Sequence, residues 1–246
     1  MTIRVGVFGS DGRMGSEVVR AIEAADGLSF VVGIEAGDDP RELLGAEVDV
    51  VVDFTAPAVV MGNLRFAVSH GIHCVVGTSG FTPERLAQVQ ELADSHPEVG
   101  VLIAPNFGIA AVLMMRFAAE AAPYFDSVEI VELHHPNKAD APSGTARRTA
   151  ELITEARQQA GMSAMPDATT EDPDGARGAT IGDVHVHAAR ITGMIAHQEV
   201  VMGAPGELLT IRHDSMNRES FMPGVVLAVR KIVDRPGLTF GLEHVL

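Results

Sequence analysis

The chain has 246 residues, enough for one large α/β domain or for two smaller domains that each bury a core. Apolar residues make up 46% of the chain and charged residues 21%, as in an ordinary globular protein, and the formal net charge is -15. This acidic balance argues against a nucleic-acid partner, because contacts to phosphate dominate such binding. No apolar run reaches the length of a membrane span, and the N-terminus lacks a signal-peptide pattern.

The single cysteine, Cys74, cannot form an internal disulfide, which is typical of a protein in a reducing compartment. Its neighbours in the sequence are apolar, so we interpret it as a buried strand residue and not as a catalytic thiol. We therefore expect a cytoplasmic protein with no membrane partner.

Strand and helix patterns alternate over the first hundred residues. Short apolar, β-branched runs predict strands, and Met14, Val18 and Ile22 have the spacing of a helix. The third strand is apolar enough to be buried on both faces, as central parallel strands are. In chain order, the predicted strands are 3–9, 28–36, 48–57, 72–80 and 99–108, and the predicted helices are 13–25, 59–71 and 82–96.

The pattern changes after about residue 108. A segment rich in Asp, Pro, Gly and Thr, 162–182, is predicted to be a loop. The alternation before it and the strands after it predict an α/β fold: a Rossmann-type parallel-sheet nucleotide domain plus a smaller α+β domain with a mixed sheet. The remaining predicted elements are helices over 110–125, 145–160 and from 221 to a stop at Pro236-Gly237, and strands over 127–135, 184–191, 195–204 and 207–215.

Gly9, Gly12 and Gly15 lie between the first predicted strand and the first predicted helix. Glycine lets the backbone approach a pyrophosphate closely, and the start of the helix supplies N–H groups to bind it. The spacing alone is a weak signal, since a tight turn without a ligand would also explain it. Glu35 ends the second strand 20 residues after Gly15. A carboxylate there accepts hydrogen bonds from a ribose, so a dinucleotide site is the better interpretation.

Glu35 also predicts which dinucleotide is used. A carboxylate at this position repels a 2'-phosphate, and the residues that follow it carry no positive charge. The nearby cation, Arg13, has Asp11 close to it in the sequence. We therefore expect NADH to be used at least as well as NADPH.

Three further strand ends carry small, hydroxyl or aromatic residues that suit a nicotinamide and its ribose. Because parallel strands end at one edge of their sheet, we expect these residues to line the same crevice. Ordinary turn chemistry is the alternative for each strand end taken alone. The residues are Phe54 and Thr55, then Gly77, Thr78 and Ser79, and finally Ala104, Pro105, Asn106 and Phe107.

His134, His135 and Lys138 gather in a loop just before a predicted helix. The residues at the start of that helix, 143–145, are Ser-Gly-Thr and have N-cap chemistry, so helix N–H groups point into the loop. Together with a lysine, such N–H groups form a site for a carboxylate. His134 can give or take a proton at neutral pH, and Lys138 can act as an acid or as a fixed counter-charge.

A metal site is the competing interpretation of these histidines. Adjacent residues on a strand end point in opposite directions, and neither an HxxxH pattern nor a cysteine pair accompanies them. His185 and His187 share one strand face, but strand histidines are more often packed or hydrogen-bonded than bound to a metal. No metal is predicted.

A series of segments then identifies a resemblance to a known family. They run in one order over nearly the whole chain: VGVFGSDGRMG, VVDFTAP, VVGTSGF, LIAPNFGIAAVL, ELHHPNKADAPSGTA, HQEVVMG, and LTIRHDS followed by RESFMPGV. The chain resembles the bacterial 4-hydroxy-tetrahydrodipicolinate reductases, also called dihydrodipicolinate reductases, of lysine and diaminopimelate biosynthesis. Its length and several segments are most similar to the actinobacterial members. The HHxxKxDAPSGTA element is highly specific, whereas the glycine turn is not.

The resemblance implies hydride transfer from NADH or NADPH to a cyclic imine-type dicarboxylate, giving tetrahydrodipicolinate. It implies that His134 and Lys138 handle the proton. The substrate-binding residues that it implies are His135, Ser143, Gly144 and Thr145. The cofactor-binding residues, with the strand-end residues included, are Gly9, Ser10, Asp11, Gly12, Arg13, Met14, Glu35, Phe54, Thr55, Gly77, Thr78, Ser79, Ala104, Pro105, Asn106 and Phe107.

The resemblance also implies a homotetramer joined through the sheet of the second domain, and a C-terminal helix that packs back onto the nucleotide domain. The nucleotide domain is then discontinuous, formed by 1–108 and 218–246, and 109–217 form the substrate-binding and oligomerisation domain. One departure concerns the glycine turn. Actinobacterial relatives often carry lysines where this chain has Asp11 and Arg13, which argues against efficient use of NADPH.

Two other functions fit part of this pattern. Another Rossmann oxidoreductase of amino-acid metabolism, such as an aspartate or diaminopimelate dehydrogenase, shares the glycine turn but does not require HHPNKADAPSGTA. A non-catalytic redox sensor that binds a dinucleotide and a partner protein would keep the glycines, with no reason to keep His134 and Lys138.

Overall fold

The computed structural model describes residues 2–246. The chain divides into two compact units: one ends at Ile109 and resumes at Arg218, and the other is Ala110–Asn217. The strands are β1 Ile3–Phe8, β2 Leu28–Ile34, β3 Val50–Asp53, β4 His73–Val76, β5 Gly100–Ile103, β6 Ser127–His134, β7 Ala179–Ile181, β8 Val184–Arg190, β9 Ala196–Ala204, β10 Glu207–Ser215 and β11 Gly237–Phe240. The α-helices are α1 Gly15–Glu23, α2 Glu42–Gly45, α3 Val60–Ser69, α4 Pro83–Asp94, α5 Ile109–Ala121, α6 Gly144–Gln159 and α7 Met222–Ile232.

The first unit contains a six-stranded sheet in the order β11-β5-β4-β3-β1-β2, and all of its strand pairs are parallel. All four residues of β3 are buried, as predicted for a central strand. The register pairs Asp53 with Phe8 on one side and with Val76 on the other, and Val76 pairs with Ile103. Four strands therefore end side by side, and the predicted cofactor residues follow these ends.

Helix α7 packs against α1, β4 and β5 within the same unit. The approach is close, because a Cβ built on Gly224 would lie 1.9 Å from the carbonyl oxygen of Phe107. Arg230 of α7 donates a hydrogen bond from Nη2 to the Asp26 carbonyl at 2.8 Å. The last turn of the chain's C-terminal helix is thus held to the loop that follows α1.

The second unit contains a five-stranded mixed sheet in the order β10-β9-β6-β8-β7. Strand β6 pairs parallel with β8 and antiparallel with β9. Helix α6 packs on β6, β7 and β8, and Val128, Ile130 and Glu132 on alternate positions of β6 are buried. The predicted fold class, a Rossmann-type parallel sheet plus a smaller unit with a mixed sheet, is confirmed.

Helix starts follow the predicted cap chemistry. Thr82 caps α4, since its hydroxyl accepts a hydrogen bond from the Arg85 N–H at 3.3 Å, and Pro83 is the first helical residue. Cys74 is a buried residue of β4, as predicted, and burial raises the pKa of its thiol well above the ordinary value. Among the helices of residues 2–246, none is long and apolar enough to cross a membrane.

Two short strands and one short α-helix were not predicted. Residues 162–182 are not loop throughout, because Ala179–Ile181 form β7, paired antiparallel with β8 across a turn at Gly182 with φ +61°. Pro236-Gly237 do follow α7, but the chain then forms β11, which pairs with β5 at the edge of the first sheet. Helix α2 has four residues. Elements this short span at most about two periods of a hydrophobic pattern, too few for the pattern alone to identify them.

Candidate active site

The turn between β1 and α1 depends on its glycines. Gly9 has a φ of +77°, in the left-handed region that favours glycine, and its N–H donates to the Ile34 carbonyl at 2.8 Å. A Cβ on Gly15 would lie 1.9 Å from the carbonyl oxygen of Gly9, so a larger residue would displace the turn. Helix α1 starts here with no side-chain cap on its N–H groups. The turn is therefore tight, and its glycines let the turn and the start of α1 pack closely on each other.

Glu35 lies beside this turn. Its Oε1 accepts hydrogen bonds from the Ser10 hydroxyl at 3.0 Å and from the Asp11 N–H at 2.7 Å. The carboxylate is thus held at the turn, and it lines a cavity of about 530 Å³ together with Gly9, Gly12, Phe54 and Thr55. The predicted residues Asp11, Gly12 and Arg13 are exposed, whereas Ser10 and Met14 are half-buried.

The predicted aromatic residues pack on each other next to a glycine. The rings of Phe54 and Phe107 lie 5.7 Å apart between centroids, at an angle of 57°. A Cβ on Gly77 would lie 2.0 Å from Cε1 of Phe54, so the Phe54 ring covers this glycine. Ala104 and Phe107 are each 2% exposed, whereas Ser79 and Pro105 are exposed. The Asn106 side chain accepts a hydrogen bond from the Gly108 N–H at 2.7 Å.

Asp53 organises these strand ends from the last position of β3. It is 2% exposed, and its Oδ1 accepts hydrogen bonds from the hydroxyls of Thr55 and Thr78, each at 2.7 Å. Its Oδ2 accepts one from Nδ2 of Asn63 on α3, also at 2.7 Å. One buried carboxylate therefore fixes the predicted residues after β3 and after β4 relative to each other.

In the second unit, β6 ends at His134, and the loop that follows leads to α6. His134, His135 and Lys138 are all half-buried. The Lys138 ammonium pairs with Oδ1 of Asp140 at 2.7 Å, and the Lys138 N–H donates to the His135 carbonyl at 3.2 Å. These contacts fold the loop back on itself, so the predicted proton-handling residues lie on one short, compact segment.

Ser143 is the N-cap of α6, as its predicted chemistry requires. Its hydroxyl accepts a hydrogen bond from the Ala146 N–H at 3.2 Å. Gly144 and Thr145 are the first two helical residues, whose N–H groups have no carbonyl one turn earlier in the helix. A chain of hydrogen bonds supports this turn: Gln198 Nε2 donates to the Thr149 hydroxyl at 2.8 Å, and Thr149 donates to the Thr145 carbonyl at 2.7 Å.

A fully buried carboxylate, Glu132, joins these parts. Its Oε2 is 2.5 Å from Nδ1 of His134 and accepts a hydrogen bond from Arg190 Nη1 at 2.9 Å. Its Oε1 accepts one from Arg190 Nη2 at 3.0 Å and one from the Ser143 N–H at 3.0 Å. Arg190 Nη2 also donates to the Asp140 carbonyl at 2.7 Å. The end of β6, the loop and the start of α6 are thus bound to one carboxylate and its arginine.

The protonation states of this pair follow from burial and from Arg190. Burial favours a neutral Glu132, but the hydrogen bonds from Arg190, His134 and the Ser143 N–H outweigh it and hold the pKa of Glu132 below its ordinary value. Burial lowers the pKa of His134 below its ordinary value, although the hydrogen bond with Glu132 opposes this change. The positive charges of Lys138 and Arg190 act in the same direction as burial. Glu132 is therefore ionised and His134 is neutral at pH 7.

The sequences of both parts of the chain match models of one known family. Models described as "Dihydrodipicolinate reductase, N-terminus" and "Dihydrodipicolinate reductase, C-terminus" match residues 3–107 and 110–246. The chain belongs to the dihydrodipicolinate reductase family. The resemblance seen in the sequence motifs is therefore confirmed.

Individual members of the dihydrodipicolinate reductase family agree with this assignment. An enzyme named 4-hydroxy-tetrahydrodipicolinate reductase from Thermobifida fusca is 67% identical to this chain, and the match covers 99% of both chains. The enzyme of the same name from Streptomyces avermitilis is 59% identical, over 99% of this chain and 98% of its own length. A solved structure described as a dipicolinate-bound dihydrodipicolinate reductase from a Paenisporosarcina species is 36% identical. It matches with a TM-score of 0.88 over 100% of both chains.

Sequence reasoning missed three residues that organise these sites: Asp53, Glu132 and Arg190. The sequence positions of two of them indicate that their carboxylates are buried. Asp53 ends an otherwise apolar strand directly before Phe-Thr, and Glu132 occupies the position that continues the buried alternation of Val128 and Ile130. A carboxylate at such a position must have partners, because a buried, unpaired charge is costly.

Two other strand histidines, His185 and His187, are bound by acidic side chains. His187 Nε2 is 2.8 Å from Oε2 of Glu129, and His185 Nε2 is 3.3 Å from Oδ2 of Asp167. Within residues 2–246, no group of three or more His, Cys, Asp or Glu side chains is arranged to hold a metal ion.

Proposed function

We propose that the chain catalyses the NAD(P)H-dependent reduction of 4-hydroxy-tetrahydrodipicolinate, or dihydrodipicolinate, to tetrahydrodipicolinate in lysine and diaminopimelate biosynthesis. The observation that carries this proposal is the second unit's loop, where one buried carboxylate holds the His134 ring and the start of α6. A proton-handling group and a helix N-terminus suited to a carboxylate are what the reduction of a cyclic imine dicarboxylate requires.

The first unit fits a dinucleotide. Gly9 and Gly15 hold the turn tight, Gly12 is exposed, and α1 starts there without a side-chain cap, so backbone N–H groups can approach a pyrophosphate. Glu35 is placed to accept hydrogen bonds from a ribose. A bound nicotinamide dinucleotide supplies the hydride. The residues after β3, β4 and β5 would line the nicotinamide and its ribose. We propose the unit formed by 1–108 and 218–246 as the dinucleotide-binding domain, and 109–217 as the substrate-binding and oligomerisation domain.

The second unit's residues have separate roles in this proposal. The N–H groups of Gly144 and Thr145, with the Thr145 hydroxyl, bind one substrate carboxylate at the start of α6, where the helix dipole favours negative charge. His135 and Lys138 hold the dicarboxylate, and the Lys138 ammonium is its counter-charge. Hydride addition to a C=N bond leaves negative charge on nitrogen, so a proton must be supplied there. His134 and Lys138 are the groups that handle this proton.

The function itself is tested by a coupled assay. The substrate is generated from pyruvate and aspartate semialdehyde with the preceding synthase, and the loss of nicotinamide absorbance is followed after this protein is added. Turnover with at least one of the two cofactors is expected. An absence of turnover with both cofactors, in protein whose thermal unfolding is cooperative, would refute the proposal.

The same assay tests the cofactor preference. We expect kcat/KM with NADH to equal or exceed that with NADPH, because a 2'-phosphate would meet the Glu35 carboxylate, which the Ser10 hydroxyl and Asp11 N–H hold in place. Glu35→Gln is expected to raise kcat/KM with NADPH relative to NADH. A wild-type kcat/KM for NADPH more than about tenfold above that for NADH, a difference of about 1.4 kcal/mol, would contradict this expectation.

We also propose a homotetramer joined through the sheet of the second unit, in the cytoplasm. Leu208 on β10 is 76% exposed and Leu209 is 37% exposed, so this edge of the sheet presents apolar surface. Light scattering on the purified protein checks the proposal, and a mass other than that of four chains would contradict it.

A further inference from the structure

Glu132 is a fully buried carboxylate whose hydrogen-bonding capacity is completely used. An ionised carboxylate has about four lone-pair sites. Four donors occupy them here: His134 Nδ1, two nitrogens of Arg190, and the Ser143 N–H, all within 3.0 Å. These donors come from the end of β6, from β8 and from the N-cap of α6. The carboxylate is not a lone ion pair but the common acceptor of three separate parts of the site.

The hydrogen bonding determines which nitrogen of His134 carries hydrogen. An ionised carboxylate can only accept, so Nδ1 must be the donor in the contact with Glu132. A neutral imidazole has one N–H, and Nε2 is then the unprotonated nitrogen of the resting ring. When the ring is protonated, Nε2 carries the proton that can be transferred, while Nδ1–H stays bound to Glu132.

We infer, building on the proposed function, that Glu132 is a positioning residue for proton transfer: it fixes His134 in the Nδ1–H tautomer and so makes Nε2 the nitrogen that exchanges a proton with the substrate. Arg190 keeps Glu132 in its ionised, accepting form by a bidentate contact. Without this arrangement the His134 ring could rotate by about 180° or adopt the other tautomer. Nε2 would then no longer be the nitrogen that exchanges a proton with the substrate.

The same carboxylate also couples proton transfer to substrate binding. It accepts the Ser143 N–H directly before the helix start, and its partner Arg190 donates to the Asp140 carbonyl. The Asp140 carboxylate in turn pairs with Lys138. The groups that face His134 are thus Glu132 on its own strand, Arg190 on β8, and Lys138 and Asp140 on the loop. A dianionic substrate bound next to these groups would stabilise the protonated His134 ring. His134 would therefore take up its proton when the substrate binds.

A purely structural ion pair is the competing explanation for Glu132, and the His134 tautomer distinguishes the two. In Glu132→Gln, the Ser143 N–H and Arg190 Nη2 can only donate, so they hold the amide oxygen on their side. The amide NH₂ then faces Nδ1 of His134 and Arg190 Nη1, and the hydrogen bond from Nη1 is lost. Nδ1 must then accept, and the ring must carry its hydrogen on Nε2. The variant should therefore invert the tautomer, an effect that loss of packing would not produce.

The experiment uses ¹⁵N-labelled histidine in the full-length protein without ligands, with the His134 signals assigned from a His134→Gln sample. We expect the Nδ1–H tautomer in the wild type and the Nε2–H tautomer in Glu132→Gln. In the coupled assay, Glu132→Gln should lower kcat by at least about 10-fold, because a histidine held in the wrong tautomer costs up to about 10⁴-fold in a Ser-His-Asp triad.

Glu129→Gln is the matched control. Glu129 lies on the same strand and also pairs with an arginine and a histidine, Arg177 at 2.6 Å and His187 at 2.8 Å. This variant should leave the His134 tautomer and kcat unchanged. Comparison of the two variants distinguishes an effect specific to Glu132 from the general effect of removing a carboxylate from β6.

Several results would overturn the inference. An Nε2–H tautomer in the wild type would do so at once, even if Glu132→Gln does not fold. An unchanged tautomer in folded Glu132→Gln, or an inverted tautomer with wild-type kcat, would also do so. The tautomer is read in the free protein, so its outcome does not depend on turnover. A wild type that does not reduce the substrate would refute the proposed function, while the NMR result would still test whether Glu132 sets the tautomer.

Discussion

Replacement of His134 by glutamine is expected to lower kcat by on the order of 10²- to 10⁴-fold, the usual contribution of a general acid, with a small change in KM. Glutamine can still donate a hydrogen bond to Glu132, so the loop and the start of α6 should keep their positions. It cannot carry a transferable proton at neutral pH. Steady-state kinetics with saturating cofactor measure the two constants separately.

The pH dependence of the wild type gives a second readout for His134. Only the protonated ring donates, and burial lowers the pKa of His134 below its ordinary value. The protonated fraction of free enzyme therefore falls as pH rises through that lowered pKa, and kcat/KM should fall with it. His134→Gln should lack this dependence.

His187→Gln is the control for the loss of a strand histidine that is bound to a glutamate. It should keep both kcat and the wild-type pH profile. If His134→Gln instead retains wild-type kcat, the proton donor lies elsewhere, in Lys138 or in water.

Five of the six strands of the parallel sheet were predictable from the sequence, because each lies in an apolar run long enough to indicate burial. β3 and β4 are short, but their flanking residues extend the apolar pattern, and the glycines at 9, 71 and 77 mark the turns. The strand register then brings the predicted residues after Asp53, Val76 and Ile103 to one edge. The apolar sequence pattern predicts the tertiary structure here, because a strand that is apolar on both faces fits only the buried centre of a sheet.

The connections within the site were not predictable from the same patterns. Glu132 and Arg190 are 58 residues apart, and only the parallel pairing of β6 with β8, which places His134 opposite Arg190, brings them together. Sequence spacing showed that His134 lies near Lys138 and the helix start. It did not show that one carboxylate binds all of these parts, because that depends on pairing between distant strands.

Replacement of Thr145 by valine is expected to weaken substrate binding by about 10- to 100-fold, because a hydrogen bond to a charged group contributes about 1.5–3 kcal/mol. Valine has nearly the shape of threonine, and the residue is in the first turn of α6. The loss should therefore report the hydroxyl alone. KM in the coupled assay and the Kd of pyridine-2,6-dicarboxylate by calorimetry measure it.

Two further variants make this prediction specific. Thr145→Ser keeps the hydroxyl and should retain a Kd close to that of the wild type. A large loss of affinity in Thr145→Ser would show instead that packing of the threonine methyl group matters. His134→Gln should bind the dicarboxylate almost normally, because the proposed role of the ring is to handle the proton and not to bind the carboxylate. Opposite behaviour of Thr145→Val and His134→Gln in Kd and kcat would separate anion binding from proton transfer. Equal effects of the two variants on both constants would mean that the loop between β6 and α6 acts as one unit, in which neither role belongs to a single side chain.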